Sequence, residues 1–324
     1  MLEGVDIMIA GGGDELLAND GDLLIPGDEM EIYGPYPLTS DNGIPVITTK
    51  GGYRYVGRMI ATFEDGVLTE IGDESGLVRV AGGDQPDAIE GDPEVYAAVI
   101  EPLLAGLDAL DMDILGDSEV DLDGVKPTIR TTETNEGDLI ADALLWQAQQ
   151  LAAQYDAAMP DIAIQNAGGI RNDSVLPAGP VSVLDTFDMA PFSNFVVVVE
   201  DVSPEELAFV LENAYSRVEF VDGRFAQIGG FSVVYDPNAQ GLEFDDQGMV
   251  VTPGERIIAV TLDDDTKIIE NGAPVNGAPS VNVATINFLA QGGDQYDFGD
   301  SPFVSLGVTY QQALANYIAE GLGG

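Results

Sequence analysis

The chain has 324 residues, 45% of them apolar and 21% charged, which is enough for a folded core and fits two domains by length. It carries 57 Asp and Glu against 11 Lys and Arg, a net charge of −46. This balance argues against nucleic-acid polymers and anionic membranes as partners and indicates an acidic surface suited to a salty medium. The chain also lacks cysteine and histidine, which excludes disulfides, Cys or His metal ligands and catalytic triads that use a histidine.

The first 80 residues are predicted to form strands and loops. No run approaches ~18 consecutive apolar residues, so no membrane span is expected, and the start lacks the basic and small-residue features of a secretory leader. A strand is predicted over 5–10, ending at three glycines, with further strands over 45–49 and 53–63.

A linker and a helix follow. Residues 81–92 are rich in Gly, Asp and Pro, which predicts a linker. Pro93 then opens a helical pattern up to residue 111, with Asp92 as its N-cap. Pro102 inside the pattern predicts a kink or a break. We interpret residues 81–111 as a linker with an interdomain helix.

From residue 112 the pattern becomes α+β, a mixed sheet with flanking helices. The run FVVVVE predicts a central strand, and Ser203 with Glu206 forms a capping box at the start of a helix. An amphipathic helix is expected over 136–154, capped by Asn135. The remaining predicted elements are strands over 119–122, 161–165, 195–200, 225–235 and 256–262, and helices over 203–215 and 309–320.

Basic residues are scarce, so their positions carry information. Arg130 lies just before the 136–154 helix, and Arg171 follows a buried strand in the glycine-rich loop NAGGIRND. Glycines let a backbone approach a ligand, and a guanidinium donates two parallel hydrogen bonds to phosphate or carboxylate. The alternative for each arginine is an ordinary surface salt bridge.

Two aromatic residues are predicted to lie in loops. Phe192 occurs in MAPFSNF, and Phe288 occurs before a Gly-Gly turn and Asp294. Two such rings could stack on a flat heterocycle while Asp294 accepts from ligand hydroxyls, although phenylalanine more commonly belongs to the core.

Four segments give the chain a family resemblance. TETNEGDLIAD, QNAGGIRND, APFSNF and TINFLAQGGDQY occur in the order and at about the spacing found in 5′-nucleotidases, together with GRFAQIGGFSVVYDP. Residues 112–324 therefore resemble the C-terminal substrate-recognition domain of that family. Residues 1–80 resemble the end of its N-terminal calcineurin-like metallophosphatase domain, a partial α/β segment.

The resemblance implies roles for side chains that would hold a nucleoside. Phe192 and Phe288 match the rings that stack on the nucleobase. Asn166 and Asn194 match asparagines near the base, and Asp294 matches the aspartate that binds the ribose hydroxyls.

The resemblance also implies an anion site. Arg130 and Arg171 match arginines that bind phosphate or ribose-side groups, and Lys126 falls where some members carry a further arginine. The implied partner is a nucleotide or nucleoside.

The metal site implied by the family is mostly missing from this sequence. Two divalent ions are expected in a full-length parent, but the loop that usually reads Gly-His-x-His reads Gly-Gly-Gly-Asp here. Asp14 is a candidate oxygen ligand or simply a loop residue, and the other ligands would precede residue 1. We therefore expect this chain to bind nucleotide, to hold no metal stably and to hydrolyse its ligand poorly.

Three functional hypotheses remain open. The first is the recognition part of a secreted, cell-surface or periplasmic phosphoric monoester hydrolase that acts in nucleotide catabolism, with the 93–111 region as a hinge. The second is a non-catalytic nucleotide-binding or surface protein that has lost the metal chemistry. The third is a complete enzyme that uses Asp and Glu alone. An upstream metallophosphatase half would favour the first hypothesis, and a natural start at Met1 would favour the second.

Overall fold

The computed structural model describes residues 4–12 and 15–324, so the candidate metal ligand Asp14 lies outside the described residues. The chain divides into two compact units, one up to Glu101 and one over Pro102–Gly324.

The first unit consists of short strands around a small core. Its buried apolar side chains are Leu16, Leu17, Ala18, Tyr36, Tyr55 and Leu77. Its strands are Met8–Ile9, Leu16–Leu17, Ile32–Gly34, Leu38–Thr39, Pro45–Ile47, Tyr55–Arg58, Ala61–Glu64, Val67–Ile71 and Gly76–Arg79, with one 3₁₀ turn at Asp28–Glu31.

The strand predicted over 53–63 is two strands with different partners. Tyr55–Arg58 pairs with Gly76–Arg79, whereas Ala61–Glu64 forms a hairpin with Val67–Ile71. Between them the backbone N–H of Ile60 donates to the Ser75 hydroxyl at 2.9 Å, so a side chain interrupts the ladder there. The prediction of one continuous strand was wrong for this reason.

The helix predicted over 93–111 is present and continuous. Asp92 accepts from the backbone N–H groups of Glu94 and Val95, which confirms it as the N-cap. The segment runs as Pro93–Val95, a π-helical turn over Tyr96–Ile100, and Glu101–Asp111. The wider turn ends just before Pro102, so the missing proline N–H and the ring are accommodated without a break.

The second unit is built on a mixed five-stranded sheet. We label its strands β1 (Ile162–Asn166), β2 (Phe195–Val202), β3 (Ala226–Gly229), β4 (Val281–Ile286) and β5 (Phe303–Thr309). The order is β3-β1-β4-β2-β5, with β1 and β4 parallel and the other neighbours antiparallel. Strand β2 contains the FVVVVE run, and its valines are almost fully buried because both faces of the sheet are covered.

The remaining strands form a four-stranded antiparallel sheet and three two-stranded pairs. The four-stranded sheet contains Phe231–Tyr235, Ile257–Leu262, Lys267–Glu270 and Ala273–Pro274, and the pairs are Ile114–Ser118 with Gly179–Ser182, Leu122–Asp123 with Val175–Leu176, and Glu243–Phe244 with Val250–Thr252. The strand predicted over 225–235 breaks at Gly230, whose φ of 81° sends the chain from one sheet to the other. The strand predicted over 119–122 was wrong for all but Leu122, because the Ser118 hydroxyl bonds the backbone of Val120 and makes a turn.

Four helices flank the sheets, α1 (Asn135–Leu151), α2 (Val183–Met189), α3 (Pro204–Ala214) and α4 (Tyr310–Asn316). The capping box of Ser203 and Glu206 is confirmed. Helix α1 is capped by the Thr134 hydroxyl, which accepts from Gly137 N–H at 3.1 Å; the prediction of Asn135 was wrong because its side chain instead bonds the backbone at Asp121 and Asp123. Shorter helical turns cover Lys126–Ile129, Ala152–Gln154, Ala167–Gly169, Val218–Phe220, Asn287–Ala290, Gly293–Gln295 and Tyr317–Gly321.

The mixed sheet with flanking helices confirms the α+β prediction. The apolar stripe of α1, which includes Ile140 and Leu144, is buried in the same core as the valines of β2. Within the described part of the chain, no helix combines the length and the apolar character that a bilayer crossing requires.

Candidate functional site

One edge of the five-stranded sheet gathers the loops that carry most of the predicted site residues. Because β1 and β4 are parallel, their ends at Asn166 and Ile286 lie at the same edge. The antiparallel neighbours β2 and β3 begin at that edge, with Val196 opposite Ile286 and Ala226 opposite Asn166. Segments distant in sequence therefore meet there.

These loops enclose a cavity of about 400 Å³, which we call the site pocket. Its lining contains every predicted substrate-binding residue except Lys126, and consists of Arg130, Asn166, Gly168, Gly169, Arg171, Phe192, Asn194, Gly223, Ile286, Phe288 and Asp294. Lys126 lies outside it, with an exposed side chain and a backbone N–H that donates to Asp173. The structure therefore brings together seven of the eight predicted substrate-binding residues.

The two phenylalanines of the site pocket are partly exposed to solvent. Phe192 is 45% exposed and Phe288 is 41% exposed, whereas the core residue Phe225 is only 3% exposed. The Arg171 guanidinium lies 5.6 Å from the centre of the Phe192 ring. Phe288 lies on the helical turn Asn287–Ala290 rather than in a loop, so that part of the prediction was wrong. Partly exposed aromatic rings that line a cavity can stack on a flat ligand ring.

A tyrosine that the sequence did not single out holds two of these loops together. The Tyr310 hydroxyl accepts from Phe192 N–H at 3.1 Å and donates to the Gly169 carbonyl at 3.0 Å. Burial raises the pKa of Tyr310 to about 12, so its proton is retained. In the sequence, Tyr310 is distinguished only by its position at the start of α4, and this position does not predict the contact with the two loops.

A pair of glycines brings two backbones into direct contact beside Arg130. The Gly168 N–H donates to the Gly223 carbonyl at 2.7 Å, and a Cβ on Gly168 would lie 3.1 Å from Gly223. A Cβ on Gly223 would lie 3.7 Å from the Arg130 guanidinium carbon. Side chains at these positions would push the two loops apart.

The two arginines of the site pocket differ from nearly all other basic residues of the second unit. Arg217, Arg224, Arg256 and Lys267 each form an ion pair. Arg130, Arg171 and Lys126 form none with the described residues, in a chain that has an excess of acids.

Arg130 is also incompletely hydrogen-bonded. Its Nε is buried and has no partner among the described residues. Burial, and then the charge of Arg171, lower the pKa of Arg130. The charges of Asp222, Asp294 and Asp173 raise this pKa by less, and none of these carboxylates forms an ion pair with Arg130. Two neighbouring guanidiniums that no described acid pairs with make a site that an anion would satisfy.

Asp294 faces the site pocket with one oxygen already engaged. Asn166 Nδ2 donates to Asp294 Oδ2 at 2.7 Å, and Asn166 Oδ1 in turn accepts from Gln165 Nε2 at 2.9 Å. Asp294 Oδ1 receives no hydrogen bond from the described residues. It is therefore the oxygen available to a ligand hydroxyl.

These donors do not fit a divalent cation. Asp294 is the one carboxylate of the lining, and it shares the pocket with two guanidiniums that repel a cation. Over residues 4–12 and 15–324, no group of three or more Asp and Glu is arranged to hold a metal ion. Holding and orienting a ligand is the role that these residues support.

A larger cavity of about 680 Å³ lies elsewhere in the second unit. We call it the Arg217 cavity; its lining includes Arg217, Arg224, Arg256, Glu219 and Phe220. Each of its arginines is paired with an acid, and Arg256 also donates to the carbonyls of Tyr215 and Ala239.

One buried acid lies behind the loop that carries Arg171. Glu136 Oε2 accepts from Asn172 Nδ2 at 2.9 Å, while Glu136 Oε1 and Asn172 Oδ1 are buried without partners among the described residues. Burial raises the pKa of Glu136 to about 7, with a smaller contribution from Asp123. A Cβ on Gly124 would overlap with both Glu136 Oε1 and Asn172 Oδ1, so these two oxygens are neighbours, and a proton on Oε1 would place a donor beside an acceptor.

Comparison with known proteins identifies the family of this domain. The family model of the 5′-nucleotidase C-terminal domain matches residues 114–300. The chain is 26% identical over 297 residues to the trifunctional nucleotide phosphoesterase protein YfkN of Bacillus subtilis, covering 91% of this chain and 17% of that protein. It is 26% identical over 303 residues to the 5′-nucleotidase of Homo sapiens, covering 91% of this chain and 48% of the human protein.

A solved structure gives the same result. The 5′-nucleotidase precursor of Thermus thermophilus superimposes with a TM-score of 0.60 at 26% identity, over 98% of this chain and 57% of that one. The chain thus spans about half the length of these two 5′-nucleotidases. The matched region contains every residue of the site pocket. This chain belongs to the family of the 5′-nucleotidase C-terminal domain.

Proposed function

We propose that the site pocket binds a nucleoside or a 5′-nucleotide. The base stacks between Phe192 and Phe288, the ribose hydroxyls donate to Asp294 Oδ1, and Arg130 and Arg171 receive an anionic group such as a phosphate. The observation that carries the proposal is the presence of two unpaired guanidiniums beside two exposed rings in a chain of net charge −46.

The shape and chemistry of the pocket support this ligand class. A volume of about 400 Å³ lies within the range of small-molecule sites. Asn194 also lines the pocket, and its amide is available for the edge of a base.

The test is calorimetric titration of this chain with adenosine and with AMP in metal-free buffer at moderate salt. Saturable binding of both is expected, and Phe192→Ala should weaken it on the order of tenfold or more, because a base stacked on an aromatic ring contributes about 1–3 kcal/mol. Phe220→Ala is a matched control, since Phe220 is also exposed and also lies under an arginine, at 4.8 Å from Arg217. Absence of heat with both ligands from a folded sample would overturn the proposal.

We propose further that ester hydrolysis, as in the phosphoesterases that resemble this chain, depends on metal ligands that the described residues do not supply. The site pocket would contribute by orienting the ester, which can supply a large part of a rate enhancement. This chain alone is expected to release no phosphate from AMP with Mg²⁺, Mn²⁺, Co²⁺ or Zn²⁺. Turnover that a chelator abolishes would show that its own residues bind catalytic metal.

A location outside the cytoplasm is also proposed. The surplus of 57 acids over 11 bases suits a saline exterior, where ions screen self-repulsion. Fractionation of the source cells, with an antibody against this chain, checks the proposal, and recovery with the cytoplasmic proteins would contradict it.

A further inference from the structure

The turn that presents Asp294 has a conformation that its own residues disfavour. Asp294 has a φ of 51° and the next residue, Gln295, has a φ of 60°. Residues other than glycine seldom adopt this left-handed backbone conformation. Two such residues in succession keep it only where surrounding contacts stabilise it. The position of the carboxylate in the site pocket therefore depends on contacts made by the turn.

Two contacts from outside the site pocket hold this turn. Asn213 Nδ2 donates to the backbone carbonyl of Asp294 at 3.0 Å, and the Tyr296 hydroxyl donates to the backbone carbonyl of Arg224 at 2.7 Å. Asn213 is fully buried near the end of α3. Asn213 does not line the site pocket, so it can affect ligand binding only through the turn that carries Asp294.

Arg224 fixes the orientation of the Asn213 amide. Its Nη1 donates to Asn213 Oδ1 at 3.0 Å, and its Nε is paired with Asp222 at 3.2 Å. A guanidinium only donates, so the amide oxygen of Asn213 faces Arg224 and the amide NH₂ faces the Asp294 carbonyl. The order of donors and acceptors from Asp222 to Asp294 is thus determined at each step.

The side chain of Asp294 is anchored separately. Asn166 donates to Oδ2 and leaves Oδ1 without a hydrogen bond from the described residues. Asn213 holds the backbone and Asn166 holds the side chain, so the free oxygen has a defined position. Asn213 is outside the lining that contains the two phenylalanines and the two arginines, so a change at Asn213 should leave these four side chains in place.

We propose that Asn213 is a positioning residue that, through the backbone of Asp294, determines how strongly the site pocket discriminates ligands that carry ribose hydroxyls from those that lack them. This inference rests on the proposed nucleoside-binding function. Without the Asn213 donor the turn relaxes, and the contact of Asp294 Oδ1 with the hydroxyls is lost. Stacking of the base is retained.

The test compares adenosine with 2′,3′-dideoxyadenosine on the same chain by calorimetry. The variant is Asn213→Asp, which is nearly isosteric and removes the donor, while its carboxylate stays paired with Arg224. Asn316→Asp is the matched control, because it also removes an amide donor, here to Gln147 Oε1, at a site on α4. Asn213→Ala provides a second variant without added charge, and thermal unfolding verifies that each protein is folded.

The wild-type chain should bind adenosine at least about tenfold more tightly than the dideoxy ligand, since the dideoxy ligand would cover Asp294 Oδ1 without offering it a donor, and an acceptor removed from water without a partner is costly. In both Asn213 variants this ratio should fall towards one through weaker adenosine binding, with dideoxyadenosine affinity within about twofold of wild type. Asn316→Asp should keep the ratio.

Three results would overturn the inference. An unchanged ratio in folded Asn213 variants would show that the turn does not depend on Asn213. An equal loss of both ligands would give Asn213 a purely structural role. Wild-type binding of both ligands with equal affinity would remove Asp294 from hydroxyl recognition but leave nucleoside binding intact, whereas no binding of either ligand would overturn the proposed function itself.

Discussion

The two arginine-bearing cavities of the second unit differ in how their charges are satisfied. In the larger Arg217 cavity every arginine is paired with an acid, and Arg256 donates four hydrogen bonds to protein oxygens. In the smaller site pocket, neither Arg130 nor Arg171 forms an ion pair with an Asp or Glu in the part of the chain that the structure describes. Volume alone would favour the larger cavity. Unsatisfied charge favours the smaller one, because an anionic ligand can supply the charge-assisted hydrogen bonds that its two guanidiniums lack.

This comparison predicts opposite effects of mutation on stability. Replacing a group that the protein satisfies should destabilise the fold, and replacing a group that it leaves unsatisfied should not. Trp146, the single tryptophan, lies in α1 of the second unit and provides a fluorescence signal for unfolding.

The largest effect is expected at Glu136. Its pKa is raised from the ordinary value of 4.5 to about 7, so the stability linked to its proton is present below pH 4.5 and is lost as the pH rises through about 7. Glu136→Gln keeps the bond from Asn172 Nδ2, replaces the charge with a neutral amide that can donate to Asn172 Oδ1, and should raise the free energy of unfolding at pH 8 by on the order of 3 kcal/mol. Urea unfolding at pH 5 and pH 8 measures the difference in the free energy of unfolding between Glu136→Gln and the wild type, and this difference should be smaller at pH 5. Glu320 is exposed, so the stability difference between Glu320→Gln and the wild type should not depend on pH. A stability difference for Glu136→Gln that is the same at both pH values would contradict the prediction.

The second effect separates the two cavities by stability. Arg256→Met should lower the free energy of unfolding by about 2 kcal/mol, because the carbonyls of Tyr215 and Ala239 lose their donor. Arg171→Met should leave stability unchanged or slightly raised. Urea unfolding at one pH checks both variants, and a larger loss at Arg171 would remove the distinction between the cavities.

The smallest effect separates the cavities by binding. Arg171→Met should weaken AMP by about tenfold, the loss of one charge-assisted contact, and should change adenosine by less than about twofold. Arg217→Met is the control in the other cavity and should affect neither ligand. Calorimetry with both ligands measures the split, and equal weakening of AMP and adenosine by Arg171→Met would assign that arginine to the nucleoside instead of the anion.

Much of the fold followed from local patterns. The apolar run of β2, the capping box of α3 and the N-cap at Asp92 are signals contained within a few residues, and each appears in the structure. The incorrect strand predictions occur where a residue distant in sequence determines the backbone hydrogen bonds. Ser75 interrupts the strand near Ile60, and a change of sheet interrupts the predicted strand at 225–235.

The site was accessible from sequence only in part. The scarcity of arginine and the order of four segments predicted the side chains that line the site pocket. The residues that hold them were not visible, because Asn213, Tyr310 and Glu136 act through partners 81, 118 and 36 positions away. No periodicity or motif encodes such contacts.

The two unpaired guanidiniums also affect how fast a charged ligand arrives. The field of a protein with charge −46 repels an anion over roughly one Debye length, about 10 Å at 0.1 M salt, and the attraction of Arg130 and Arg171 acts only near the pocket. Added salt shortens the repulsive range more than it weakens contacts inside the cavity. The association rate constant of an anionic nucleotide should therefore be higher at high salt than in dilute buffer. This is opposite to the usual salt dependence of an anion that binds a basic site. The association rate of a neutral nucleoside should be the same at both salt concentrations.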